Sequence, residues 1–218
     1  MKTKDKIISE ATKAFNENGF GAVSLQELAQ KTGISRGNLT YHFKDKEALL
    51  QAISDKMWGQ MREEKEKSRS FPSFENLHNV VQLYYKMQLE YAFIFLDTHV
   101  LNHPIIKSKF RAITKETLED NKAAIAFSIQ LGNLKPELIP GTYHNIGFLA
   151  WMIIFFWLPQ QIIRGKKTGD DGAKMIWSLL VPHMTEKGII SFKKFYGEAY
   201  YNSLGESFEV DAHSFISF

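Results

Sequence analysis

Cysteine is absent from the 218 residues, which excludes disulfides and thiolate metal sites and permits a reducing compartment. Long apolar runs are missing too. The longest block, Phe148–Leu158 (FLAWMIIFFWL), is eleven residues, against the roughly 20 that a membrane helix needs. The start MKTKDKIISEATKAF has no signal-peptide apolar core. A Gly-rich phosphate loop, a Gly-x-Ser-x-Gly elbow, an alternating strand pattern, internal repeats and low-complexity segments are all lacking. Charge of one sign is scarce, at a formal +3. These absences predict an all-α cytoplasmic protein that uses no membrane, needs no cofactor and is not an enzyme.

What is present is concentrated between Ser24 and Leu49, SLQELAQKTGISRGNLTYHFKDKEALL. Ser24 followed by Glu27 is a capping box that starts a helix. Leu25, Leu28 and Ala29 recur at helical spacing. Gly33 is suited to the left-handed C-cap that ends this helix, and Ser35 caps the next one at once. Two short helices so joined predict a helix-turn-helix, whose second helix enters the major groove. That second helix, Ser35 to about His42, gives only Leu39 to the core. Arg36, Gly37, Asn38, Thr40, Tyr41 and His42 are left for solvent or for a partner. Gly37 costs about 1 kcal/mol in a helix relative to alanine, so a cap, a packing need or close approach to another surface must account for it. Lys46 falls in the first turn of a helix begun by Asp45, where a cation is disfavoured. It either holds a phosphate there or points into water.

Residues 1–62 hold ten Lys and Arg against seven Asp and Glu, which equals the chain's whole formal excess. This fits a few phosphate contacts per subunit. Upstream, Ile7, Ile8, Ala11, Ala14 and Phe15 make one face of an amphipathic first helix. Downstream, a long helix is expected from Asp45 to about Lys67, broken by Ser70 and Pro72, with Ser73 as the next cap.

These residues resemble the tetracycline-repressor (TetR) family. Its pattern is a first helix ending in Gly-Phe or Gly-Tyr, a Ser or Thr cap, Ala-x-x-x-Gly-Val-Ser-x-Gly, an aromatic-x-His-Phe, and Lys before a Leu pair. The chain has Gly19-Phe20, Ser24, Ala29 with Gly33-Ile34-Ser35, Gly37, Tyr41-His42-Phe43, Lys46 and Leu49-Leu50. It departs at Leu39-Thr40, where members commonly have Leu-Tyr. The tyrosine's phosphate role is therefore not carried over to Tyr41. Thr40 offers a hydroxyl to phosphate, and Tyr41 a ring to a sugar or thymine methyl.

The expected layout is a three-helix DNA-binding domain over residues 1–50, with a connecting helix to about 67. A helical domain for effector binding and dimerisation follows over 70–205, then a tail over 206–218. The apolar block reads as a buried core helix with one face for a partner subunit or a ligand cavity. Tyr84, Gln88, Tyr91, Phe95, His99, Phe127, Trp151 and Phe155 are the candidate ligand residues, a largely apolar set with polar anchors. Asp97, His99 and His103 have a spacing that suits a cation, yet no third strong ligand is evident and pocket or surface roles compete. The resemblance implies a ligand-responsive transcriptional regulator, a repressor that binds a palindromic operator as a homodimer and is released by a small hydrophobic effector. The other reading is an all-helical binding protein or enzyme without DNA function.

Overall fold

In the computed structural model residues 2–67, 73–165 and 172–206 are described. The predicted break at Ser70 and Pro72, and the tail beyond Glu206, lie outside them. The described residues hold helices and no strand, with a single bridge between Leu134 and Met184. The helices are α1 (Thr3–Asn18), α2 (Leu25–Thr32), α3 (Arg36–His42), α4 (Lys46–Lys67), α5 (Phe74–Glu90), α6 (Ala92–Leu96) and α7 (Thr98–Asn102). They continue as α8 (Pro104–Gln130), α9 (Thr142–Phe155), α10 (Trp157–Ile163), α11 (Gly172–Leu180), a 3-10 turn (Val181–His183), α12 (Glu186–Tyr196) and α13 (Glu198–Ser203). All-α is the observed class.

Two compact units result. The first is residues 2–67 with Lys86–Phe110; the second is residues 73–85 with residues 111–206. Residues 86–110, which the sequence pattern assigns to the later domain, thus group with the amino-terminal helices. Their side chains show why. The Asn16 amide on α1 donates to the Glu90 carbonyl at 2.9 Å and accepts from the Phe93 N–H at 3.0 Å. It thereby satisfies backbone groups freed where Tyr91 breaks the helix between α5 and α6. Phe93 lies against Phe15, ring centroids 5.3 Å apart, and stacks over Phe20. The buried Tyr91 phenol donates to Gln60 of α4 at 2.6 Å, and burial raises its pKa. Lys109 pairs with Asp55, and Trp58 and Phe95 meet Phe110 edge-on. The expected stripe of α1 is buried as predicted: Ile7, Ile8, Ala11, Ala14 and Phe15.

In the second unit Phe74 packs against both Trp177 of α11 and Phe192 of α12, which also meet each other. The Tyr196 hydroxyl ties them, accepting from the Trp177 indole and donating to the Phe74 carbonyl, both at 3.0 Å. The block Phe148–Leu158 is not one buried helix. Pro159 has no N–H, and its ring crowds the carbonyl four residues back, at Phe155. The helix accordingly ends there, and α10 leaves α9 at 63°. Phe148, Leu149, Met152 and Phe156 are exposed. No single described helix is long and apolar enough to cross a membrane.

Two glycines make opposite demands. A Cβ on Gly188 of α12 would stand 2.1 Å from the Asn133 carbonyl oxygen, a backbone atom that cannot swing aside; one on Gly59 of α4 would meet nothing within 4 Å. Gly188→Ala is expected to destabilise the fold by roughly 3 kcal/mol through overpacking, and Gly59→Ala to stabilise it by about 0.5–1 kcal/mol. Denaturant unfolding checks both signs.

Candidate nucleic-acid interface

The α2–α3 corner is set by short-range bonds. The Ser24 hydroxyl accepts the Glu27 N–H at 3.2 Å, and the Glu27 carboxylate accepts the Ser24 N–H at 2.6 Å. This closes the predicted capping box and holds the Glu27 carboxyl below its usual pKa. Gly33 is left-handed at φ 70°, and its N–H with that of Ile34 returns to the carbonyls of α2. The Ser35 hydroxyl then accepts the Asn38 N–H at 3.1 Å. Only Leu39 of α3 is buried, with Phe43 closing the exit.

The rest of α3 is outward. Ser35, Arg36, Gly37, Asn38 and Tyr41 are exposed, and Thr40 and His42 are half-buried. Among the described residues the Arg36 and Asn38 side chains have no hydrogen-bond or ion-pair partner. Tyr41 is 85% exposed and stands edge-on to the His42 ring at 5.4 Å. The cap serines have each accepted a backbone N–H and keep their own O–H. The Thr40 proton is directed back to the Arg36 and Gly37 carbonyls at 3.0 and 3.1 Å. A Cβ added to Gly37 would meet only Ser35 Oγ at 3.9 Å. Nothing inside the fold, therefore, requires glycine there.

Lys46 does not simply point into water: it is turned toward the end of α1, with part of its ammonium still available. Its ammonium donates to the Phe20 carbonyl and lies 3.4 Å from that of Gly21, 4.5 Å above the Phe20 ring. Desolvation lowers its pKa. The carbonyls left free after α1 offset the unfavourable helix dipole. Lys4, which the pattern left unremarked on the polar side of α1, places its ammonium 5.7 Å from the centre of the Phe43 ring, at the exit of α3. Sequence spacing carries no signal for that position, since it depends on how α1 and α3 pack.

The eight candidate ligand residues are divided between the two units. Gln88, Tyr91, Phe95 and His99 belong to the first unit, and Tyr84, Phe127, Trp151 and Phe155 to the second. Gln88, Tyr91 and Phe95 are buried, with Tyr91 bonded to Gln60 and Phe95 against Phe110; His99 is exposed on α7. Tyr84 is buried with its hydroxyl 3.4 Å from Thr117 Oγ1. Trp151 stacks on Phe155 at 5.4 Å, both half-buried, as is Phe127. α7 ends at Asn102 with His103 extended, so the two histidines share no helical turn. Asp97 caps α7 by accepting the His99 N–H. The described residues contain no group of three metal-ligating side chains. One polar group escaped the sequence analysis: Gln161 on α10 is 2% exposed, and its side-chain amide nitrogen has no hydrogen-bond partner.

Residues 7–53 match the family model described as bacterial regulatory proteins, tetR family, and residues 52–192 match that described as bacterial transcriptional repressor. The transcriptional regulator QacR of Staphylococcus aureus is 30% identical over 118 residues, covering 49% of this chain and 63% of QacR, so less than two thirds of that relative is matched. A TetR-family regulator from Marinobacter aquaeolei superposes with a TM-score of 0.74 at 21% identity, over 94% of this chain and 98% of the other. AibR, in complex with isovaleryl coenzyme A and operator DNA, superposes at 0.63 with 18% identity, over 84% and 100%. With the family matched from the first helix through α12 and the helix-turn-helix built as its pattern requires, the chain belongs to the TetR family of bacterial transcriptional regulators.

Proposed function

We propose that this regulator is a repressor that binds a near-palindromic operator as a homodimer and is released by a small, largely apolar effector. The observation that carries the reading is the outer face of α3, where Arg36 and Asn38 hold unspent hydrogen-bonding groups beside a glycine that the fold does not need. Arg36 suits guanine edges and Asn38 adenine. The free O–H groups of Ser24 and Ser35 donate to phosphates. Lys4 and the remaining N–H of Lys46 add cations along the backbone. Tyr41 and His42 present rings to sugar or thymine methyl, and Thr40 supports them from the same turn.

Two copies follow from reach. A helix of seven residues meets only a few base pairs, so useful specificity needs paired half-sites about one helical turn apart. The exposed stripe Phe148, Leu149 and Met152 of α9 with Phe156 at its end supplies an apolar face for the second subunit. The effector reading draws on the aromatic side chains Trp151 and Phe155, on the unpartnered Gln161 amide as an anchor for an acceptor group, and on the neighbour AibR, whose structure holds both a ligand and operator DNA. The effector acts only by its differential affinity for the DNA-competent state.

An operator is obtained by selection from random duplex DNA. Arg36→Ala is then expected to cost about 1–3 kcal/mol at one base pair and to relax preference there; equal losses across a panel of single-base variants would reassign Arg36 to the phosphates. Gly37→Ala is expected to separate two signs. Stability of the free protein rises by about 0.5–1 kcal/mol, while operator affinity falls at least tenfold because the added methyl meets the DNA. Unchanged affinity in gel-shift titration would remove Gly37 from the interface. Gln161→Leu, which removes a buried donor without a partner, is expected to stabilise the protein by about 1 kcal/mol, read as a higher thermal midpoint.

A further inference from the structure

Resting on the DNA-reading role of α3, we infer that Thr40 sets operator specificity through its methyl group, by apolar contact with the 5-methyl of a pyrimidine in the major groove. The hydroxyl is already committed. Thr40 Oγ1 donates to the Arg36 carbonyl at 3.0 Å and to that of Gly37 at 3.1 Å, and a hydroxyl has one proton to give. None is left for a phosphate, whose oxygens only accept. Threonine is branched at Cβ and stiff at χ1. Holding Oγ1 against the carbonyls of the preceding turn therefore also fixes Cγ2, in a staggered position turned away from them. Thr40 is half-buried, and the part of it that an approaching surface meets is the methyl.

The neighbours of Thr40 on α3 suit that contact. At about 100° per residue, Thr40 falls between Arg36 and Gly37 around the helix, one turn further along. Gly37 shields nothing, since a Cβ there would have only Ser35 Oγ within 4 Å, at 3.9 Å. The short threonine methyl can thus come as close to the floor of a groove as the helix backbone allows. Tyr41, 85% exposed and set edge-on to His42 at 5.4 Å, stands beyond Gly37. Arg36, exposed and without a partner among the described residues, stands on the other side. The chemistry of the base follows. Every base edge in the major groove presents hydrogen-bonding groups, and thymine alone among the four adds an apolar one, its 5-methyl. A methyl pressed on the amino group of cytosine or adenine leaves that donor desolvated and unpaired; pressed on the thymine methyl, it strands nothing. 5-Methylcytosine presents the same apolar group.

An operator selected from random duplex DNA, with its thymines replaced one at a time by deoxyuridine, tests the proposal in anisotropy titrations, because deoxyuridine lacks only the 5-methyl. The native protein is expected to lose affinity about fourfold at one thymine per recognition helix, the worth of one buried methyl. At that position 5-methylcytosine is expected to bind more tightly than cytosine by the same factor. Thr40→Ser, which keeps the hydroxyl and removes the methyl, is expected to bind the thymine and deoxyuridine operators alike. Thr40→Val, which keeps a methyl in place, is expected to keep the difference. Survival of the preference in Thr40→Ser, its loss in Thr40→Val, or its absence at every thymine overturns the methyl contact while leaving α3 as the reading helix. A native protein that selects no sequence from random duplex overturns the reading role of α3 and the contact with it.

Discussion

Helix α3 is too short to be stable by itself, and the amino-terminal unit is arranged around that constraint. Nucleating a helix costs more than one turn of hydrogen bonds returns. Seven residues therefore hold their shape only if both ends and one face are fixed from outside. Ser35 secures the first turn, Gly33 brings α2 to a stop two residues earlier, and Leu39 and Phe43, both buried, fix one face of the helix and its exit. Because these few groups suffice, most of the remaining side chains of α3 are left at the surface.

The second consequence concerns what α3 moves with. Phe20 lies between Phe93 of α6 and the Lys46 ammonium of α4, while Asn16 binds the backbone at the α5–α6 break. The start of α4, the end of α1 and the first residues of α6 are thus one body. A displacement of any one of these elements is passed to the others through groups with fixed partners. The same contacts explain why Lys46 is turned inward. Its charge holds the joint together through carbonyls and a ring.

The second unit shows the complementary pattern, with polar groups and apolar groups left unspent. Gln161 has a buried donor without a partner, and α9 has an apolar stripe without cover. Each costs stability in the isolated chain, the first as a desolvated amide and the second as hydrophobic surface in water. Here both lie on α9 and α10, on either side of the bend set by Pro159.

The caps at Ser24, Ser35, Asp45 and Gly33, the burial of Leu39 and the identity of the helix-turn-helix were legible in the sequence, because each is decided within about four residues, where helical geometry alone fixes the partner. So was the absence of sheet among the described residues. The destinations of Lys46, Asn16 and Lys4 were not, since their partners lie 26, 74 to 77 and 39 residues away along the chain. Nor was the division of the aromatic candidates between two units, or the exposure of one stripe of an evenly apolar block. A helix that is apolar all round carries no pattern saying which face is covered; only the packing of its neighbours decides that.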